Sequence, residues 1–579
     1  MRLLDALELL KRPAPDKAQP LRVYLACSFT PLHLQTFLTA HLRSLLPDRR
    51  VNIKIGLYGD LAGNLGGLAP SDSDVLAVVL EWPDLDLRLG VRNLGGWRAE
   101  DLPDIMETAD QRLSQLGRSL KILSSSLPVV ICMPTLPLPP LFFPRTQQGA
   151  MHELQLRNAL TSFALAISRE PGVRIVNPQS LDGHSLAGDR FDLRSEVTTG
   201  FPYTMAHASS VAELLAVLIH NPAPKKGLIT DLDDTLWAGI LGEVGVEGLT
   251  WSLDQHAHLH GLYQQFLASL ASAGVLLGVA SKNDPALVEK AFARTDLLLS
   301  REDIFPFEVH WNRKSGSVQR ILETWNIGSD AVVFIDDSPM EVAEVKAVFP
   351  DMECVVFPQS DYPAFWKMLG RLRDLFGKSV VSTEDEFRLR SIRDAGVLRE
   401  LSADAPRSLD EFLSLAEAKI RFTFGKSPMD PRALELINKT NQFNLNGARF
   451  NEAAWMSHLK DPAKFLLVVN YEDKFGPLGK IAVITGKADR RRLSVDAWVM
   501  SCRAFSRRIE HQCLKYLFKK FAAEEIVFDF RETPRNGPLQ EFLAQWFNGP
   551  LSGNIPISGA AFSAKAPSLY HRVEEEVLG

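Results

Sequence analysis

Residues 227–237, GLITDLDDTLW, decide the fold of the middle of the chain. A short apolar run leads there into three aspartates within four positions, Asp231, Asp233 and Asp234. A continuous apolar run of this kind is typical of a strand that is buried on both faces of a parallel sheet. Ligands bind beyond the carboxyl ends of such strands. The stretch therefore predicts a functional site directly after a buried strand.

The length and composition indicate a multidomain protein without a nucleic-acid or membrane partner. The 579 residues exceed what one hydrophobic core organises, and the net charge of −6 gives no basic field. Asp5 and Glu8 interrupt any signal-peptide core, and no apolar run reaches the ~20 residues of a membrane span. The five cysteines lack metal-ligand spacing, which suits a reducing compartment. We therefore expect a cytoplasmic location.

The pattern of apolar runs divides the chain into blocks. Residues 1–220 alternate strand-like and helical stretches, and residues 221–375 repeat this alternation more compactly. A charged helical linker is predicted over 376–415, and a mixed α+β block over 416–579. The expected fold class is α/β, with three domains and a Rossmann-like parallel sheet in the central one.

Polar residues follow four predicted strands of the central block, in DLDDT (231–235), SKND (281–284), WNRKS (311–315) and DDSP (336–339). If they converge, they form a carboxylate cluster with a hydroxyl and a lysine. An all-oxygen set suits Mg²⁺, and a carboxylate can attack phosphorus when cations offset the repulsion. The pattern predicts a phosphoryl-transfer site, although each motif taken alone is equally typical of a turn or a helix cap.

The order and spacing of these motifs resemble the haloacid dehalogenase (HAD) superfamily, whose first motif is DxDx[TV]. The resemblance implies that Asp231 is the nucleophile and a metal ligand. It implies that Asp233 is the general acid and base, with its backbone carbonyl facing Mg²⁺. Thr235 would support the loop and bind substrate, and Asn283 would also bind substrate. Ser281 would contact the phosphoryl group, and Lys314 would stabilise its charge. Asp336 would bind the metal directly, and Asp337 would do so through water.

No space for a large cap domain is visible. About 20 residues separate Asp233 from the next predicted helix, and Asp336 follows Lys314 by 22 positions. An uncapped site is open to water unless the substrate or another domain covers it. This favours a substrate presented on a macromolecule.

Longer stretches of sequence resemble one particular family within the HAD superfamily. DLDDTLWAGILGEVGVEGL, VVFIDDSPMEVAEV and INKTNQFNLNGARF, with further strings between about 222 and 545, are similar to the FkbH-like family, a HAD subclass IIIC group. That resemblance implies a glyceryl transferase and phosphatase. Such an enzyme takes a glyceryl unit from 1,3-bisphosphoglycerate, dephosphorylates it, and loads it on the phosphopantetheine of an acyl carrier protein for polyketide-type biosynthesis.

Two other functions remain open. One is a Mg²⁺-dependent phosphatase that acts on another small or carrier-bound phosphomonoester. The other is a non-catalytic docking factor for a carrier protein.

Acyl transfer needs a thiol, and Cys502 is the candidate. It ends an apolar run beside Arg503, Arg507 and Arg508, a cationic setting that lowers a thiol pKa. The alternative is a small buried hydrophobe, the role that we expect for Cys513.

The third block is similar to acetyltransferases of the GNAT type, in which a groove between two strands holds a pantetheine arm. Here the loop from Arg503 to Arg508 lacks the glycines that let the backbone approach the pyrophosphate of CoA. The phosphopantetheine of a carrier protein has no such pyrophosphate and could still use the groove. Arg503 is a substrate-binding candidate. The amide-rich run adds Asn438, Thr440, Asn441 and Asn444, which either orient a hydroxylated acyl unit or build turns.

The first block resembles a degenerate SGNH-type hydrolase domain. Ser28 follows a strand, where that fold places its nucleophile, but the GDS motif is missing, and Asp182 and His184 have the wrong spacing. A non-catalytic domain is expected. The histidines of DQHAHLHG (254–261) are expected to begin a helix rather than to bind metal.

Overall fold

The computed structural model describes residues 1–13, 18–141, 144–145, 147–378, 410, 413–414, 416–426, 430–440, 442–474, 476–501, 504–505, 507–533, 536–547, 549 and 551–577. The chain divides into two compact units, Met1–Pro222 with Phe450–His458, and Ala223–Arg449 with Leu459–Gly579. The second and third predicted blocks therefore share one unit, and their division into separate domains stays a prediction. Most of the predicted linker over 376–415 lies outside the described residues.

The first unit is built on a five-stranded parallel sheet of order β2-β1-β3-β4-β5. Its strands are β1 (Gln19–Ala26), β2 (Arg49–Ile55), β3 (Val75–Val79), β4 (Val129–Cys132) and β5 (Val173–Ile175). Its helices are α1 (Leu3–Lys11), α2 (Leu32–Leu45), α3 (Leu61–Gly66), α4 (Trp82–Leu85), α5 (Leu102–Ser124), α6 (Met151–Ile167), α7 (Pro178–His184), α8 (Leu193–Thr199) and α9 (Met205–His220).

The second unit begins with another five-stranded parallel sheet, of order β10-β9-β6-β7-β8. Its strands are β6 (Gly227–Thr230), β7 (Leu276–Ser281), β8 (Ile304–Val309), β9 (Val332–Asp336) and β10 (Glu353–Val356). Its helices are α10 (Leu241–Gly248), α11 (His258–Ser272), α12 (Pro285–Phe292), α13 (Lys314–Trp325), α14 (Pro339–Val348) and α15 (Tyr362–Phe376). Every residue of β6, β7 and β9 is buried, as the apolar runs predicted.

A mixed sheet of order β17-β16-β15-β14-β13-β11-β18 forms the rest of the second unit. Its strands are β11 (Lys419–Phe424), β12 (Phe443–Asn444), which pairs with β15, β13 (Lys464–Asp473), β14 (Gly476–Asp489), β15 (Arg492–Met500), β16 (Glu525–Phe530), β17 (Gly553–Ser558) and β18 (Arg572–Val577). The helices of this part of the chain are α16 (Pro431–Lys439), α17 (Glu452–Lys460), α18 (Ile509–Phe521), α19 (Gly537–Ala544) and α20 (Gly559–Lys565). Most of α17 falls within Phe450–His458 and so belongs to the first unit. Among the described helices, none combines the length and the apolar character needed to cross a membrane.

Two glycines seat α13, the helix that begins with Lys314, against the parallel sheet. A Cβ on Gly227 of β6 would lie 2.5 Å from Trp325 Cζ3, and one on Gly278 of β7 would lie 2.9 Å from Trp325 Cζ2. Trp325 is buried, and its indole N–H donates to the Phe305 carbonyl at 2.6 Å. Because Gly227 and Gly278 carry no side chain, the Trp325 indole packs directly on two adjacent strands and holds α13 in place.

We predict that Gly227→Ala lowers the free energy of unfolding by about 1–3 kcal/mol, because a core this tightly packed does not absorb an extra methyl group. The double variant Gly227→Ala/Trp325→Phe should recover part of the free energy of unfolding that Gly227→Ala loses, so the effects of the two changes are not additive. Urea unfolding followed by near-ultraviolet circular dichroism measures both effects. Gly370→Ala on α15 is the control, since no atom lies within 4 Å of its added Cβ. Equal stability of Gly227→Ala and the native chain would contradict this packing.

Candidate active site

Lys314 is the centre of a buried charge cluster at the carboxyl edge of the second parallel sheet. Its side chain is 2% exposed, and its Nζ lies 2.8 Å from Asp231 Oδ2, 2.5 Å from Asp336 Oδ2 and 2.6 Å from Glu341 Oε2. Asp231 follows β6, Asp336 ends β9, and Lys314 begins α13. The fold thus brings together three residues predicted from different motifs and adds Glu341 from α14.

The charges of this cluster shift the pKa values of its members. Burial by itself lowers the pKa of Lys314, but Asp231 and Asp336 outweigh it and raise that pKa above its ordinary value. Burial, followed by the charge of Asp231, raises the pKa of Asp336 against the opposing effect of Lys314. For Glu341, the ammonium groups of Lys282 and Lys314 outweigh burial and lower the pKa. The cluster carries more carboxylates than cations, since Lys282, 2.7 Å from Glu341, brings the cations to two against three carboxylates.

The donor set fits a divalent cation. One carboxylate oxygen from each of Asp231, Asp336 and Glu341 lies within 4.8 Å of the others. Asp231 Oδ1 is buried and has no hydrogen-bond partner among the described residues. An unpaired buried oxygen costs about 1–3 kcal/mol, and oxygen ligands of this kind suit Mg²⁺. These three carboxylates are therefore the residues that would hold the ion.

Asp337, which the sequence predicts to bind the metal through water, contacts Gln359 and Thr235 in the structure. Its Oδ2 accepts from Gln359 Nε2 at 2.9 Å, and its Oδ1 accepts from the Thr235 hydroxyl at 3.4 Å. The Asp337 N–H in turn donates to Thr235 Oγ1 at 3.1 Å. Asp337 thus braces the loop that follows Asp231 and lies outside the group of three carboxylates. Its predicted role in metal binding through water remains a prediction.

Asp233 is a half-buried carboxyl group held by two donors. Trp237 Nε1 donates to its Oδ1 and Asn283 Nδ2 to its Oδ2, both at 2.9 Å. Burial, aided by the charges of Asp231 and Asp234, raises the pKa of Asp233 against the effect of the indole hydrogen bond. A positioned carboxyl with a raised pKa suits a general acid. Asn283, predicted to bind substrate, contacts Asp233 here.

His260 is a supporting residue that the sequence did not identify. Its Nδ1 hydrogen-bonds the Thr235 carbonyl at 2.9 Å, and its ring stacks on Phe357. Nδ1 donates this bond, because a carbonyl oxygen only accepts, and burial lowers the pKa of His260. The expected helix start is correct, since α11 begins at His258, and the His260 side chain also fixes the loop after Asp231.

The sequence around Glu341 indicates a helix cap and gives no sign that this residue belongs to the charge cluster. Ser338-Pro-Met-Glu has the spacing of a capping box, in which the glutamate turns back to the helix start. Ser338 does cap α14 by accepting from the Glu341 N–H at 3.5 Å, yet the Glu341 carboxylate reaches Lys282 and Lys314. The helix-cap interpretation also holds for Asp284, which accepts from two N–H groups of α12. The same short motifs thus contain both residues that cap helices and residues that belong to the charge cluster.

Ser281 ends β7 at the same edge and is buried. Its carbonyl accepts from the His310 N–H at 3.1 Å, which places the loop to Lys314 beside it. Residues 231–341 are all described, and within them only α10 and short turns lie between Asp233 and α11. Between Lys314 and Asp336 the chain forms only α13 and one short turn before β9. This stretch contains no cap domain, as predicted.

In the third sheet, a segment of the chain lies between the ends of β15 and β16, and the pantetheine groove stays a prediction. The parallel ladder of β15 and β16 ends at Val495 and Phe528, and β12 then pairs with β15 through Val499 and Met500. The Leu445 N–H donates to the Trp498 carbonyl at 2.9 Å, and the Leu445 carbonyl accepts from the Arg531 N–H at 3.1 Å. A pantetheine arm would have to bind beside this segment or displace it.

The amide side chain of Asn444 builds a turn. It is 2% exposed. Its Nδ2 donates to the Thr440 carbonyl at 2.9 Å, and its Oδ1 accepts from the Gly447 N–H at 2.8 Å. These contacts are those of the turn-building alternative. Substrate roles for Asn444, Thr440 and half-buried Asn438 remain predictions, and Asn441 lies outside the described residues.

Cys502 and Arg503 also lie outside the described residues. The two arginines that follow them are ion-paired, Arg507 with Asp473 at 3.3 Å and Arg508 with Asp410 at 2.6 Å. Both guanidinium groups thus have a carboxylate partner, and the cationic setting of Cys502 stays a prediction. Cys513 is fully buried in the core of the sheet, as expected, and burial raises the pKa of its thiol.

Ser28 of the first unit lines a cavity of about 840 Å³ that the loops after β1, β2, β3 and β4 enclose. Asp182 pairs with Arg190 at 2.5 Å, and His184 Nδ1 contacts the Ser180 carbonyl at 2.7 Å. These local contacts account for both residues of the sequence LDGHS.

Comparisons with known proteins bear on the fold. No family model and no curated protein matches the chain. The N-terminal part of protein BF1531 from Bacteroides fragilis, which contains a phosphatase domain complexed with Mg, matches with a TM-score of 0.52 and 18% identity, over 66% of this chain and 100% of that chain. This likeness shows the fold.

Two further structures have TM-scores too low to support an argument. An uncharacterized protein from Corynebacterium glutamicum has a TM-score of 0.19 and 16% identity, over 27% of this chain and 98% of its own. Phospholipase A1 from Streptomyces albidoflavus has a TM-score of 0.24 and 11% identity, over 34% of this chain and 98% of its own.

We predict that Mg²⁺ stabilises the native chain, because it binds the folded carboxylate cluster and not the unfolded chain. The gain is about 2.7 kcal/mol when Mg²⁺ exceeds its Kd 100-fold. Thermal unfolding with Mg²⁺ or with EDTA measures it. Asp336→Asn should lose most of this gain, whereas Asp254→Asn, which alters an exposed carboxylate, should keep it. A melting temperature that does not respond to Mg²⁺ in the native chain would rule out the site.

Proposed function

We propose that the chain is a Mg²⁺-dependent phosphatase of the HAD type. The observation that supports this is the contact of buried Lys314 with Asp231, Asp336 and Glu341, which leaves Asp231 Oδ1 without a partner. A nucleophile, a fixed cation and a place for a second cation thus meet at one point. Asp233 lies two residues away with a raised pKa.

The chain's own residues account for the chemistry. Asp231 attacks the phosphorus of a phosphomonoester, the bond from phosphorus to the leaving oxygen breaks, and Asp233 gives its proton to that oxygen. Water then attacks the aspartyl phosphate and passes a proton to Asp233, which releases inorganic phosphate and restores Asp231. Lys314 stabilises the charge of the transferring group. When bound, Mg²⁺ reduces the repulsion between the carboxylate and the phosphate.

We further propose that the substrate is a phosphoglyceryl unit destined for an acyl carrier protein. A thiol, with Cys502 as the candidate, attacks the acyl carbon of 1,3-bisphosphoglycerate, and the acyl phosphate leaves as inorganic phosphate. The phosphatase site then removes the 3-phosphate, and the glyceryl group passes to the pantetheine thiol by thioester exchange. The absence of a cap across residues 231–341 supports a substrate presented on a macromolecule. The FkbH-like resemblance supplies the identity of the acyl unit.

We expect the native chain, once acylated from 1,3-bisphosphoglycerate, to release the 3-phosphate in a Mg²⁺-dependent reaction. Asp231→Asn should slow it at least about 10³-fold, because the nucleophile is lost. Asp254→Asn, the exposed control, should match the native rate. A phosphate-release assay measures all three. Turnover of small phosphomonoesters alone would favour the simpler phosphatase, and no phosphate release by any of the three chains would leave a docking factor. Full phosphate release by Asp231→Asn would show that Asp231 is not the nucleophile.

The intact mass after incubation with 1,3-bisphosphoglycerate and Mg²⁺ tests the acyl step. We expect a glyceryl adduct on the native chain, a phosphoglyceryl adduct on Asp231→Asn, and none on Cys502→Ala. An adduct that persists in Cys502→Ala would place the thioester on another residue. If no chain carries an adduct, self-acylation is wrong and direct acylation of the carrier protein is the remaining route.

A further inference from the structure

Lys282 links the loop after β7 to the start of α14. Its Nζ lies 2.7 Å from Glu341 Oε1, while Lys314 Nζ lies 2.6 Å from Glu341 Oε2. Each oxygen of one carboxylate therefore contacts a different ammonium group. The Lys282 side chain is 36% exposed, whereas that of Lys314 is 2% exposed. Lys282 is thus the partly exposed partner of a carboxylate whose other partner is buried.

The residues on both sides of Lys282 are fixed by their own contacts. Ser281 ends β7, and its carbonyl accepts from the His310 N–H at 3.1 Å. Asn283 is 2% exposed, and its Nδ2 donates to Asp233 Oδ2 at 2.9 Å. Because both neighbours are held, the backbone of Lys282 is held as well. Its ammonium group therefore approaches α14 from a fixed starting point.

The direction of the Glu341 side chain is set by these lysines rather than by its own helix. A glutamate at this position of a helix start ordinarily accepts from the N–H of the capping residue. Here the Ser338 N–H donates to Asp336 Oδ1 at 2.9 Å instead. Since Asp336 already takes that donor, the Glu341 carboxylate is free to turn away from the helix start, and it contacts Lys282 and Lys314.

We propose that Lys282 is a positioning residue that holds Glu341 in the direction in which its carboxylate binds Mg²⁺. This inference rests on the Mg²⁺ site of the proposed function and adds a residue outside the ligand set. Lys282 acts through Glu341 and is not itself a catalytic residue.

Two effects of Lys282 on Mg²⁺ binding have opposite signs. As a positive charge it repels the ion, but a partly exposed charge changes a binding constant only about fivefold or less. As the partner of a ligating carboxylate it orients that ligand, and loss of such a partner weakens metal binding about 10–100-fold. The orienting effect is the larger one, so removal of Lys282 should weaken Mg²⁺ binding although it removes a cation.

Calorimetric titration of the full chain with Mg²⁺ tests this sign. We expect Lys282→Met to raise the Kd about tenfold. Lys282→Arg should restore most of the affinity, because a guanidinium group also donates to a carboxylate. Lys290→Met is the matched control, since it removes one positive charge from an exposed position of α12 and should leave the Kd unchanged. A Kd for Lys282→Met equal to or below that of the native chain would overturn the proposal.

A double-mutant cycle tests whether Lys282 acts through Glu341. In Glu341→Ala, the further change Lys282→Met should alter the Kd less than about twofold, because the carboxylate that it positions is gone. An undiminished tenfold loss in that background would overturn the role assigned to Lys282. No Mg²⁺ binding by the native chain would overturn the metal site of the proposed function together with this role, whereas native binding that ignores Lys282 would overturn this role alone.

Thermal unfolding in EDTA separates positioning from a general contribution to stability. The melting temperature of Lys282→Met in EDTA should lie within ~2 °C of the native value, because a partly exposed ion pair contributes little to folding. The gain in melting temperature on addition of Mg²⁺ should be smaller than in the native chain. A large drop in EDTA with an undiminished gain from Mg²⁺ would show a structural role and overturn the proposal.

Discussion

The interaction on which the site depends is the contact of one buried ammonium group with three carboxylates. Removing one partner of a buried ion pair costs about 3–5 kcal/mol, because the remaining charge loses its compensation. Lys314 can hold this position only because α13 is fixed against the sheet through Trp325 and two strand glycines. The packing of Trp325 at the far end of α13 therefore helps to hold Lys314, at the start of the same helix, beside Asp231.

The charges of the same cluster would suit a cation and a phosphate together. Lys314 and Lys282 leave one carboxylate charge unbalanced, and Asp231 has one buried oxygen without a described partner. A divalent cation would outweigh that single negative charge, and a phosphoryl group would then be attracted to an edge that otherwise repels it.

Local signals made the core of the site predictable from the sequence. Buried parallel strands appear as continuous apolar runs, and residues that follow such strands meet at one edge, so the convergence of Asp231, Lys314 and Asp336 could be foreseen. Glu341 could not, because its capping-box spacing already accounted for it. The pairing of Arg508 with Asp410, 98 positions away, is a product of tertiary structure that no local pattern encodes. The amide of Asn444 was ambiguous because turn building and ligand binding use the same groups.

Beryllofluoride, which mimics a phosphoryl group on an aspartate, tests the central claim most directly. We predict that ¹⁹F NMR of the native chain with beryllofluoride shows bound fluorine signals that require Mg²⁺ and disappear in Asp231→Asn. Such signals would place the acceptor carboxylate and the cation at the same point. Bound signals that persist in Asp231→Asn, or their absence from the native chain with Mg²⁺, would contradict a phosphoryl-transfer site built around Lys314.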